Sequence, residues 1–487
     1  MTSTWLLSKN TQHKPTNNKV FIALLSITFF LPWPHGGEVI WQYLLFSCSI
    51  FSLATIYFIK QLNSPDNHFS ALENIRFPLI LLGAWLLFQV LQIIPLPVHL
   101  SEIKLLGVEA LNLNATPWQT ISIAPNITLL EIIKHTSYVT VFILALSLLT
   151  TKKRLITLTK TIFIGSALIA LYSLINHYTK GAFDLISSIP PWTASWEKAA
   201  HGTFSYQNHY ASFLTITIPL GYGLIYANIK NSKSKNIGQS HLGKALDLVM
   251  SINGLYLLSL LVMIIALFKT ASRGGNSIFV ISITITFFCV LLQQKKPKKS
   301  KVKKLVLLIV GMLVASIMVV ATGVTDSLTN RLESQGYNPN GRALMHQSAL
   351  AIIEQRPLIG TGAGTYPILQ HNYKSPLLGN TAMSKRAHND YLELLANQGV
   401  IGFSLLSIAT VLLLLRLFRG LKNNRRSKTG SLYGLQVASF CSVIAILVHS
   451  LADFNFHLPV NAVYFYLILA IGIKCQQLKK PKQRSAI

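Results

Sequence analysis

Apolar stretches of membrane-crossing length recur along nearly the whole chain, and that recurrence excludes almost every fold except a helical bundle in a bilayer. A spanning helix takes about 20 residues. Twelve spans are assigned, at approximately 20–33, 39–59, 77–94, 129–149, 155–176, 209–229, 248–268, 276–293, 305–323, 394–415, 432–451 and 459–475. Of the 487 residues, 51% are hydrophobic and only 12% charged, whereas a soluble domain is about 25% charged. The expected fold class is an all-α polytopic membrane protein with about 12 transmembrane helices, forming a single membrane domain over 1–487. Basic residues precede the first stretch and no small-residue cleavage site follows it, so it reads as an uncleaved span. Cys48, Cys289, Cys441 and Cys475 all fall in or at the end of apolar runs, and no C-x-x-C pair occurs. Neither a disulfide framework nor a metal cluster follows from them.

The formal net charge of +28 would suggest nucleic acid in a soluble protein. Here the basic blocks, such as KKPKKSKVKK at 295–304, lie between apolar spans and lack interleaved aromatics. They are read as cytoplasmic loops facing anionic lipid, with no nucleic-acid partner. With the N-terminus inside, the inner segments hold 30 of the 43 Lys and Arg and the outer segments 12. The asymmetry predicts both termini on the cytoplasmic side.

The outer side then has three sizeable segments, 95–128, 177–208 and 324–393. The last is a long loop with a helical stretch of its own at 341–357, closed by Pro357. It carries Arg331, Arg342, Arg356, Lys374, Lys385 and Arg386, on the side where arginine should be scarce, and few acids. Arginine forks bind paired oxygens, so this loop points to a phosphate or polyanion ligand. In KTASRGGNS (269–277) the eighth span begins at the outer surface, where its free N–H groups and dipole would favour an anion beside Arg273. A snorkelling arginine is the plainer alternative. The glycine-rich GTGAGTYP (360–367) follows no clear strand and is read as a loop returning the 341–357 helix to the membrane.

In AHNDYLELLANQGVIGF (387–403), Asp390 and Glu393 fit a capping box. His388 would then stand ahead of the helix, kept neutral by nearby arginines and able to accept a proton; an interface hydrogen bond is the alternative. No D-x-D or H-x-x-x-H occurs, so no metal site is expected. HGTFSYQNHYASF (201–213) brings His201, Asn208 and His209 to the mouth of the sixth span, and LADFNFHLPVNA (451–462) contains Asp453 and His457. Both suit sugar hydroxyls, and both suit an interfacial belt.

Together with QIIPLP (92–97), GTFSYQNHYA (202–211) and ADFNFHLPVNA (452–462), these segments resemble the O-antigen ligase and O-antigen polymerase superfamily, with the core of the likeness over 255–415. The resemblance implies a GT-C-like glycosyltransferase in the bacterial inner membrane, with one long, partly helical periplasmic loop over 324–393. It implies an undecaprenyl-pyrophosphate-linked glycan donor, a glycan or lipid A-core acceptor, inversion at the anomeric carbon, and no cofactor or metal. Its conserved-type positions map onto Arg273 and Arg342 for the pyrophosphate and His388 as the catalytic base. Asn389, Asn208, His209 and Arg386 are candidate supporting residues. A tryptophan usual after the loop arginine is absent from RALMHQ. Relatives that glycosylate proteins keep the chemistry and change the acceptor. A transporter or flippase, the reading from another class, would show internal repeats and mid-membrane charges, and no repeat occurs. For topology, a cysteine placed at position 335 should react with an impermeant thiol reagent in spheroplasts and one placed at 298 should not; exchanged reactivity would invert the assignment.

Overall fold

The computed structural model describes residues 17–62, 70–97, 118–186, 196, 199–231, 251–292, 340–373, 386–425 and 431–478. The helices that matter here are α1 (Asn17–Phe30), α2 (Ile40–Leu62), α3 (Arg76–Ile93), α4 (Pro125–Leu148), α5 (Lys152–Tyr178), α6 (Gln207–Asn231), α7 (Ile252–Lys269), α8 (Arg273–Leu292), α9 (Asn340–Gln355), α10 (Asp390–Arg425), α11 (Ser431–His449) and α12 (Pro459–Gln477). Ten of these, all but α1 and α9, are long and apolar enough to cross a membrane. The chain is an all-α polytopic membrane protein. Its expected first span appears as the shorter α1, and the expected span at 305–323 lies outside the described residues. Extended pairing among the described residues is confined to Leu96–Pro97 against Trp118–Gln119.

The helices differ in how they spend their apolar surface. In α12, 94% of the spanning window is buried, so this helix is the centre of the bundle. It packs against α4, α10 and α11, and α6 lies along α11. Helices apolar all round are stable in such a core or in lipid. By contrast, α3 and α7 leave residues such as Phe77, Leu87, Leu258 and Leu261 exposed, as lipid-facing positions require.

One helix is broken, and the break organises the site. Inside α10, Gly399 leaves the helical region with φ 60° and ψ −172°. A bilayer does not tolerate the backbone groups this frees unless protein satisfies them. The segment 357–362 does so. Val400 N donates to Pro357 O at 2.8 Å and Ile401 N to Leu358 O at 3.1 Å, while Thr361 N and Gly362 N donate to Ala396 O and Asn397 O at 3.1 and 2.9 Å. Gln92 ties in a third element, its Nε2 donating to Ile359 O at 2.8 Å and its Oε1 accepting from Ala363 N at 3.2 Å. The glycine-rich stretch is therefore a packing device that returns the α9 segment to the bundle. A Cβ at Gly360 would lie 2.4 Å from Asn397 C, and one at Gly399 2.3 Å from Leu358 O.

That contact yields a stability prediction. Gly399→Ala and Gly360→Ala combine a left-handed backbone with a clash against main chain, and each should destabilise the protein by about 2 kcal/mol or more. Gly83→Ala, at a helical position with nothing within 4 Å, should be neutral or slightly stabilising. Thermal unfolding of the three purified variants checks the contrast; equal midpoints would remove the crossing as a structural necessity.

Candidate active site

The N-termini of α6, α8, α10 and α12 and the C-terminus of α11 share one end of the bundle. Asp390 N donates to Ser450 O at 2.9 Å, and Asn461 Nδ2 to His209 O at 3.4 Å. The short helix before the Gly399 break is fastened at its start. Asn389 Oδ1 accepts from Tyr391 N and Leu392 N at 3.0 and 3.1 Å, so Asn389 is the N-cap. This corrects the capping box expected of Asp390 and Glu393. Asp390 instead uses Oδ2 to accept from Asn455 N and Phe456 N at 2.8 and 3.1 Å, holding the turn after α11. Glu393 accepts from Ala387 N at 3.2 Å and pairs with Arg386 at 2.6 Å. The cap lies one residue earlier because an amide reaches the first-turn N–H groups while both acids have partners elsewhere.

With its neighbours fixed, His388 sits at φ 50°, a left-handed conformation rare outside glycine but better tolerated by His than by most residues. Its Nδ1 lies 3.1 Å from Asp453 Oδ1. Asp453, 2% exposed at its side chain, is a hub. Its Oδ2 accepts from Asn208 Nδ2 at 2.8 Å and stands 3.6 Å from Arg342 Nη2. Burial opposes its charge, but the hydrogen bond from His388 and the electrostatic influence of the His209 and His388 rings and of the Arg342 guanidinium outweigh that cost and hold the carboxyl well below the usual carboxylate range. An ionised carboxylate only accepts, so Nδ1 of His388 carries a hydrogen and donates it to Asp453, and it is Nε2 that is left to exchange a proton. Of the arginines expected around His388, Arg342 shares its Asp453 partner and Arg386 pairs with Glu393; the carboxylate beside the ring is of the kind that would stabilise an imidazolium.

Aromatic rings fix the imidazole's position. Phe454 meets His388 edge-on at 4.8 Å and His209 edge-on at 4.6 Å, and stacks on Tyr206 at 6.0 Å. The Tyr206 hydroxyl accepts from Asn208 at 2.9 Å. His209 is buried behind Phe454. His201 is buried apart from this cluster, its ring 3.8 Å from Trp196, and burial pushes it down to about 4.

The expected cations divide. Arg342 is 46% exposed and is anchored by Nη1 to Ala452 O at 2.8 Å, which leaves part of its fork facing outward beside His388. Arg273 begins α8 and is exposed, with no ion pair among the described residues. Arg356 is buried and donates to Ile121 O at 2.9 Å, a structural use. Arg331, Lys374 and Lys385 lie outside the described residues. Arg386 turns away from His388 towards Glu393 and His457 Nε2, the latter at 2.8 Å. Burial first, and then Arg386, hold His457 well below the ordinary imidazole range. Both face a separate cavity of about 270 Å³ that Glu131, Lys134 and Trp85 also line. The Glu131–Lys134 pair, 2.5 Å apart, lies in the second and third turns of α4.

The sequence marked Asp453 only as a polar residue of the outer 451–462 turn, without a role beside His388. The signal was available: an isolated acid in a short outer turn of a chain with only 15 acidic residues. Among the described residues no group of three or more His, Cys, Asp or Glu is placed to hold a metal ion. The cluster offers an imidazole backed by a carboxylate, an arginine fork, and a helix N-terminus near the same surface.

No curated protein matches this chain. A protein-family model described as O-antigen ligase matches residues 258–407, the stretch that carries Arg273, Arg342 and His388. Residues 258–407 are thus an O-antigen ligase-type region, which supports the likeness to the O-antigen ligase and polymerase superfamily.

Proposed function

We propose that the protein transfers a glycan from undecaprenyl pyrophosphate to an acceptor hydroxyl at the periplasmic face of the bacterial inner membrane, in polymerising or ligating a surface polysaccharide. The observation that carries this reading is the His388–Asp453 pair beside Arg342. His388 Nε2 takes the proton of the acceptor hydroxyl as its oxygen attacks the anomeric carbon. The bond to the pyrophosphate oxygen breaks on the opposite face, so the centre inverts. Asp453 stabilises the resulting imidazolium and keeps Nε2 pointed outward. Charge growing on the leaving pyrophosphate is met by Arg342, Arg273 and the N-terminus of α8. The 30-to-12 division of Lys and Arg supports both termini inside and this site outside. Polymerase and ligase share these steps and differ in acceptor. Deleting the gene and resolving envelope polysaccharide on a gel separates them: single-repeat products mean a lost polymerase, and accumulated lipid-linked polymer a lost ligase.

Purified enzyme acting on a lipid-pyrophosphate glycan provides the direct tests. His388→Ala should slow transfer by about 10²- to 10⁴-fold with little effect on folding, and wild-type turnover should be indifferent to EDTA. Near-normal turnover by that variant would remove His388 from the chemistry. Arg342→Ala should also impair transfer, and Arg273→Lys should do so despite keeping its charge, because the planar fork is lost.

Asp453→Asn should lower turnover about 10²-fold or more by ending the carboxylate's support of the imidazolium. It should also lower thermal stability. A depressed folded-state pKa contributes stability that is fully present above the unfolded value of about 4 and is lost as pH falls through the lower folded value. The unfolding midpoint gap between wild type and Asp453→Asn should therefore be constant from about pH 5 to 8 and shrink below about 4. A gap that opens only on acidification would contradict the ionised hub.

A further inference from the structure

We infer that His449, at the C-terminus of α11, is a further phosphate-binding residue of the donor site, donating a hydrogen bond from its ring to an oxyanion held at the N-terminus of α8; this rests on the functional reading above.

Three observations converge there. First, His449 is 0% exposed, and neither ring nitrogen has a hydrogen-bond partner. An unpartnered buried polar group costs about 1–3 kcal/mol, so a ligand oxygen that completes the His449 ring would recover that cost. Second, the ring lies in the notch made by Gly274, where a Cβ would stand 3.3 Å from His449 Nε2. The first glycine of the Ser-Arg-Gly-Gly turn thus lets an imidazole approach the opening turn of α8. Third, that turn has donors to spare. Ser272 Oγ accepts from Gly275 N at 3.1 Å, as an N-cap does. The N–H groups of Arg273 and Gly274 have no acceptor among the described residues. Ala271, at φ 51°, sets the bend that starts the helix there.

His449 also links this turn to the His388 cluster. Its carbonyl accepts from Ala452 N at 2.9 Å, and Ala452 O accepts from Arg342 Nη1 at 2.8 Å. One turn of backbone therefore carries the imidazole that faces α8, the anchor of Arg342, and Asp453. The nearest carboxylate, Asp453, is already engaged by His388 and Asn208. What remains is a set of donors: two amides, the Arg273 guanidinium, the imidazole N–H and the outer side of Arg342. Such a set fits a multiply charged oxyanion, and here the pyrophosphate of the donor lipid.

The test titrates inorganic pyrophosphate against the thermal unfolding midpoint of the purified full chain, a readout that does not require turnover. Wild type should be stabilised. His449→Gln keeps a donor and should bind within about threefold. His449→Phe, of similar volume but without a donor, should bind about 10- to 100-fold more weakly, and without ligand its midpoint should be no lower than wild type's. His449→Leu serves the same purpose should the phenylalanine variant not accumulate. Equal pyrophosphate affinity in wild type and the donor-free variants would overturn the assignment, as would no stabilisation of wild type. Glycan transfer by wild type is scored separately: pyrophosphate binding that depends on His449 without transfer would sink the functional reading and leave only the phosphate contact of His449 standing.

Discussion

Two backbones cross at Gly360 and Gly399, and the geometry of the site depends on that crossing. A membrane helix stops being a helix only where other protein takes over its hydrogen bonds. Here the strand of chain after α9 supplies acceptors to Val400 and Ile401 and takes donors' places opposite Ala396 and Asn397. The result is a short helical segment, Asp390 to Gln398, set at an angle to the span that follows. Its N-terminus, capped by Asn389, is where His388 leaves the helix in a left-handed conformation. The imidazole is aimed by backbone geometry that glycines make available about ten residues away.

Electrostatics supplies the second layer. In a chain of net charge +28, a buried carboxylate has no shortage of partners. Asp453 accepts from His388 and Asn208 and stands beside Arg342, so one acid keeps a hydrogen on Nδ1 of His388 and places the nearest arginine. The other acids near this surface are engaged elsewhere: Asp390 holds the turn at Asn455 and Phe456, and Glu393 holds Arg386. Each keeps its element in place without competing for the imidazole. Arg386, neighbour to His388 in sequence, is separated from it in function because its fork closes on Glu393 and His457.

Much of the architecture was legible in the order of residues. Apolar length marked the helices, since the bilayer sets a minimum span that no other fold imposes. The glycine-rich 360–367 stretch reads as a returning loop for a reason visible in its neighbours, a proline-closed helix before it and no strand. What was misread is equally physical. Asn389 and Asp390 are both good caps, and sequence spacing favoured the acid; the amide won because Asp390 found two main-chain donors across the site. Asp453 passed as one polar residue in an aromatic turn, because nothing within six residues of it reveals that His388, 65 positions away, points at it.

By itself, the sequence determined that the chain spans a membrane as helices, that its cationic residues cluster in blocks between apolar runs, and that Arg273, Arg342 and His388 sit at helix ends. Those properties are local: they follow from run length, charge position and turn-forming residues. Only the tertiary structure decided which polar groups meet. The pairing of His388 with Asp453, the turning of Arg386 to Glu393, and the seating of His449 against Gly274 all join segments far apart in the chain. Side chains of a few ångströms' reach interact only after helix packing has brought their backbones together, and packing is settled by the whole bundle around α12.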